Sequence, residues 1–111
     1  MNCVNQFFLT GVAMTPFTSV SGRGKDAHRD LMVLTRRGRF QTQVWVRFRL
    51  NKWDGTRIFQ TDPTGWTVSI MGSAINAGWG DSEGREMRSS MLMAETYAVV
   101  AKPIGWEESN G

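Results

Sequence analysis

Along residues 43–53, QVWVRFRLNKW, apolar and polar positions alternate strictly. Val44, Val46, Phe48 and Leu50 take every second place, and Trp45, Arg47 and Arg49 stand between them. Successive side chains of a strand point to opposite faces, so a period of two predicts a half-buried β-strand with the aliphatic set in the core. The other face then carries a tryptophan beside two arginines, an arrangement suited to a ligand that is both flat and anionic.

The same reading extends along the chain. Residues 5–14, NQFFLTGVAM, are apolar and β-prone, interrupted by Gly11. Residues 15–26 hold a proline and two glycines and so contain a turn. Residues 27–37 predict a second strand, with Leu31 and Val33 on one face and Met32 and Leu34 on the other. A short basic connection around Gly38 leads to the strand at 43–53. Asp54-Gly55 and Asp62-Pro63 mark turns within 54–65. Residues 66–74 predict a fourth strand in which Trp66 alternates in phase with Val68 and Ile70 and is assigned to the core. Residues 76–86 read as a long glycine-rich hairpin loop with Trp79 near its centre. Residues 87–101 are the fifth strand. A helix competes there, because Met, Leu, Ala and Glu are good helix formers, but the hairpin context favours a strand. Pro103 and Gly105 end the domain, assigned to 1–102, and leave 103–111 as a short flexible C-terminal tail.

Five short strands without a clear helix predict an all-β fold. The expected architecture is a five-stranded Greek-key barrel of the OB-fold type with long basic loops, an architecture that presents one face to oligonucleotides. At 111 residues the chain is long enough for one core without staples. Cys3 is the single cysteine, so no internal disulfide forms, which fits a reducing compartment. No apolar run approaches the roughly 20 residues of a membrane span, and no basic segment precedes an apolar one at the N-terminus. The expected location is the cytoplasm, with no membrane partner.

Charge sharpens the picture. The chain has a net charge of +3. Between Arg23 and Arg57, however, ten basic residues face only Asp26, Asp30 and Asp54, a net +7, which leaves −4 for the rest. Segregated positive charge points to a polyanionic partner, the alternative being a solvated basic face.

Four fragments together resemble the bacterial-type single-stranded DNA-binding proteins. NQFFLTG (5–11) is similar to that family's opening strand, and QVWVRF (43–48) to its strand of Trp followed by Arg. TGWTVSIMGSA (64–74) is similar to its Gly-x-x-Val-x-Ile-x-Gly pattern, and GWGDSEGREMRSSML (78–92) to its Trp-bearing hairpin. The resemblance implies an OB-fold that binds single strands by base stacking and a basic groove, with several barrels assembled as a homodimer or homotetramer. It matches Trp45 to a stacking tryptophan and Trp79 to the aromatic of the hairpin. Phe59 stands where the family often places a further aromatic. The family's helix between the third and fourth strands has no full counterpart, because residues 51–65 are short and turn-rich. Its long linker and acidic tip are also missing, which is the form expected of a phage- or plasmid-encoded member.

The candidate interface therefore comprises Trp45, Arg47 and Arg49 on the alternating strand, and Trp53 and Lys52 at its end. Arg36, Arg37, Arg39 and Phe40 form the basic-aromatic connection, and Arg57, Phe59, Trp79 and Arg85 complete the set. For Trp45 the alternative is packing under a loop or in a subunit interface; for Trp79 it is anchoring on its own barrel. Stacking is sequence-tolerant because every base has a π-face, and arginine supplies phosphate contacts. With about four to six cations in the groove, log affinity against log salt is expected to fall with a slope around −3 to −4.

No enzyme is expected. His28 is the only histidine and has no metal-spaced companion. SGRGKD (21–26) lacks the ending and the following helix of a phosphate loop. No cofactor or metal is implied. Single-stranded DNA is the expected partner, with RNA as the other candidate, in replication, recombination or repair. The rival readings are an accessory protein of primosome or recombination acting chiefly through protein contacts, and a structural β-barrel without a nucleic-acid role.

Overall fold

The structure, a computed structural model, describes residues 6–80 and 86–102, with the backbone alone at residue 37 and at 76–80 and 86–90. Five strands are formed: β1 (Gln6–Ala13), β2 (His28–Arg37), β3 (Phe40–Arg49), β4 (Thr67–Gly80) and β5 (Glu86–Ala101). They close a barrel in the order β1-β2-β3-β5-β4, the five-stranded OB-fold topology expected from the sequence. All pairings are antiparallel except β3 with β5.

The alternation of β2 and β3 places the core. Leu31 and Val33 of β2 and Val46 and Phe48 of β3 are fully buried, as are Val68 and Ile70 of β4. Val44 and Leu50 are only half-buried, because Val44 lies toward the hairpin end and Leu50 leaves the strand. Aromatic rings fill one end of the barrel. Phe17 meets Phe48 edge-on at 5.1 Å and Phe59 at 5.0 Å between centroids, and Tyr97 packs on Phe48 at 5.5 Å. Burial there pushes the Tyr97 hydroxyl up to about 12, so the ring enters the core neutral.

Gly11 does not break β1; it lets the strand serve two neighbours. Gln6–Val12 pair with β4, and Val12 and Ala13 pair with β2. A Cβ at Gly11 would lie 2.3 Å from the Leu34 carbonyl oxygen, so only glycine permits the crossing. Gly72 has the same role beside a register shift in the β4–β5 ladder, where a Cβ would meet the Met93 carbonyl.

The connections differ from expectation in two places and agree with it in one. β3 begins at Phe40, so β2 and β3 are joined by the two residues Gly38 and Arg39 rather than by a loop. Gly38 has φ 61, the positive value a tight hairpin needs at its first turn position. Beyond Arg49 the strand becomes a single helical turn, α1 (Leu50–Trp53), followed by a 3-10 turn at Ile58–Gln60. This is the reduced connection foreseen for 51–65. Asp62 caps the next turn, accepting from the Thr64 hydroxyl and from the Thr64 amide at 2.9 Å, which holds its carboxyl below the usual range. Finally, the expected loop at 76–86 is largely strand: β4 runs to Gly80 and β5 starts at Glu86. The segment 103–111 lies outside the described residues.

Candidate nucleic-acid interface

The β2–β3 register fixes which residues share the outer face. Trp45 stands opposite Met32, Arg47 opposite Asp30, Arg49 opposite His28, and Arg36 opposite Gln41. Trp45 is 49% exposed, with the buried Val46 beside it in sequence. The tryptophan is a half-open plate on a sheet, with Gln43 before it and Arg47 and Arg49 after it on the same face, as the alternation implied.

Arg47 is not a free cation. Its Nε donates to Asp30 Oδ1 at 3.3 Å, and Nη1 donates to Met91 Sδ at 3.1 Å. The guanidinium therefore bridges β2, β3 and β5, and Asp30 offsets much of its charge. Arg49, Arg36 and Lys52 are exposed, and none of them has an acidic ion-pair partner among the described residues.

Five expected site residues lie elsewhere. Trp53 is a core residue at 8% exposure, with its ring 5.4 Å from Phe48 and its Nε1 donating to the Ala94 carbonyl at 3.3 Å. The period of two would have kept it on the Trp45 face, but the helical turn of α1 rotates it inward. Phe59 is half-buried against the core in the 3-10 turn, with the Arg29 guanidinium 5.3 Å over its ring. Phe40 pairs with Arg37, two residues that alternate with the buried set and not with Trp45. Phe40 is 78% exposed on the opposite side of the ribbon, so it does not extend the stacking plate. Arg37 shares that register position. Arg57 is exposed at the start of the 3-10 turn, away from β3 in sequence and without a described contact to it.

Arg39 is exposed in the hairpin turn. Trp79 belongs to β4, paired with Met87 and in the same alternation as Ile75 and Met91. Its backbone thus stands in a strand ladder rather than a loop; strands rise about 3.3 Å per residue, so it is roughly 13 Å beyond Ile75. Arg85 lies outside the described residues.

The sequence reading named Arg49 and Lys52 but missed their neighbours Ser73, Ile75, Met93 and Glu95. Arg49, Lys52, Ser73, Ile75, Met93 and Glu95 surround a groove of about 170 Å³ beside Arg47. β3 pairs with β5 only at Val46–Leu92 and Arg47–Met93, and the groove opens where the two strands part. The alternation in β5 of Met91, Met93 and Glu95 was the available signal, but not which strand it would meet.

Neither a protein-family model nor a curated protein sequence matches the chain. Solved structures do. The mitochondrial single-stranded DNA binding protein Rim1 of S. cerevisiae superposes with a TM-score of 0.73 at 10% identity, over 91% of this chain and 99% of that one. A selenomethionine-labelled form of it gives 0.66 at 11% identity, over 92% and 99%. The N-terminal domain of PriB from Thermoanaerobacter tencongensis, a dimeric structure, gives 0.62 at 15% identity, over 88% and 98%. At these identities the likeness is one of fold: this chain has the barrel of Rim1 and PriB over nearly its whole length.

Proposed function

We propose that this chain binds single-stranded nucleic acid without sequence preference along most of its path, DNA first and RNA second. The carrying observation is Trp45, half-open on a sheet face where Arg36 and Arg49, with Lys52 of the adjoining α1, lack acidic partners among the described residues. Bases stack on the indole, and the cations take phosphates. The fold shared with a single-stranded DNA binding protein supports the reading. The cellular setting would be the cytoplasm, on strands exposed by replication, recombination or repair.

Titration of intrinsic tryptophan fluorescence with poly(dT), and separately with duplex, tests the function. Quenching by poly(dT) and little response to duplex are expected. Three free cations and one paired one give a slope of log affinity against log salt of about −2 to −3. That is shallower than the sequence alone implied, because Asp30 already neutralises Arg47. No quenching, or a flat salt dependence, would favour the accessory or structural reading.

The same proposal includes a homodimer. Among the described residues Gln6–Gly11 of β1 pair only with β4, which leaves one backbone edge open. Beside that edge Phe8 is 68% and Met71 48% exposed. Open edges and contiguous apolar side chains are managed by pairing. The described methionines of β5 are a poorer candidate, since Met93 is buried and Met91 is held by Arg47. Light scattering at micromolar concentration should give twice the chain mass, and Phe8→Glu should return it to the chain mass.

A further inference from the structure

The groove beside Arg47 has a composition that a general phosphate channel does not need. Its floor is apolar, made by Ile75, Met93 and Ala94. Arg49 and Lys52 stand on its rim. Opposite them is a carboxylate: Glu95 is exposed, and its Oε1 accepts a hydrogen bond from the Ser73 hydroxyl at 3.0 Å. A lone acid among cations weakens phosphate binding in general, so its presence on this face calls for another role.

The groove continues the stacking face. Met93 is the register partner of Arg47, which is two residues from Trp45 on the same side of β3. Past that pair β3 turns into α1, and the Ala94 carbonyl is taken by the Trp53 indole. A strand stacked on Trp45 and running along β3 toward α1 therefore passes Arg49 and Lys52, with a base able to drop onto Ile75 and Met93. The wall facing the rim cations presents only acceptors, the two carboxylate oxygens of Glu95 and a serine oxygen whose proton is already given to it, while Arg49 and Lys52 supply the donors from the rim.

Such a wall distinguishes bases of one size. Cytosine offers its N4 amine, which aspartate and glutamate accept. Thymine offers O4 in that place, an acceptor facing a carboxylate, and adds a methyl group. We infer that the groove is a base-reading subsite in which Glu95, oriented by Ser73, favours cytosine over thymine at one position of an otherwise sequence-tolerant path. The inference rests on the single-strand reading of the Trp45 face and adds a specificity to it.

The test compares labelled oligo-dC and oligo-dT by fluorescence anisotropy with the whole chain, at mildly alkaline pH where oligo-dC stays unstructured. The readout is the ratio of the two affinities. Glu95→Ala should lower the dC-to-dT ratio by about fivefold or more, the low end of what a base-edge contact discriminates. The affinity for oligo-dT should rise at the same time, because a negative charge leaves the face. Glu95→Gln, which keeps an acceptor but loses the charge, should give a ratio between the two. Equal changes for both oligomers in Glu95→Ala would overturn the subsite while leaving the stacking face intact. Failure of the parent to bind either oligomer would overturn both.

Discussion

Trp45→Ala is expected to weaken single-strand binding by about 1–3 kcal/mol, some five- to 150-fold, while the salt slope stays that of the parent. Stacking on an indole releases no counterions, so affinity falls without a change in charge bookkeeping. Stability should barely move, because the ring is 49% exposed and its strand partners, Val46 and Phe48, keep the core without it. Arg47→Ala gives the contrast. It removes one cation and leaves Asp30 facing the phosphates, so both affinity and slope fall. Salt-dependent titrations of both variants, with thermal melts as control, separate the two roles. A Trp45→Ala protein that binds like its parent would make the ring a structural plate and remove the central support for single-strand binding.

Trp53→Ala should do the reverse. Trp53 packs on Phe48 and donates to the Ala94 carbonyl from inside the core. Truncating a buried aromatic of this size costs about 3–5 kcal/mol, a large share of the roughly 5–15 kcal/mol by which a domain of this kind is stable. The carbonyl loses its partner as well. Chemical denaturation should therefore show a midpoint well below that of the parent. Where the variant remains folded, its affinity for oligo-dT should be close to the parent's. Two tryptophans eight residues apart, both counted into the candidate interface from sequence, would then separate cleanly into one that binds and one that holds the barrel.

That pair also shows how far the sequence could be read. Strict alternation located β2 and β3, their buried faces and the exposure of Trp45, because period two is a local property. It failed at Trp53 because the strand ends at Arg49 and one helical turn resets the phase. Asn51 and the Asp54-Gly55 turn marked the end of a strand, and the spacing from Leu50 to Trp53 is that of a helix face. Phe40 was recoverable as well. With a two-residue turn at Gly38 and Arg39, its even number puts it out of phase with Trp45. Glycines made 76–86 look like a loop, but a ladder of paired neighbours carried the strands through Gly78 and Gly80. The Asp30–Arg47–Met91 bridge and the Glu95 groove were not legible. Both depend on cross-strand register between segments far apart in the chain, and no local pattern encodes which strand lies beside which.

The parallel seam between β3 and β5 has a thermodynamic consequence. It consists of two register pairs, whereas β2–β3 and β4–β5 are long ladders between neighbours in sequence. Closure of the barrel there is a long-range event with few hydrogen bonds to reward it, so local opening costs less along this line than within the long ladders. Trp45, Arg47 and Arg49 stand on one bank; Met91, Met93 and Glu95 stand on the other. A ligand that touches both banks binds the closed form and not the parted one, and by mass action it raises the stability of the whole barrel with the logarithm of its free concentration over its dissociation constant. Of the two short joins in the fold, β1–β2 and β3–β5, the second is thus the one that a bound strand would clamp.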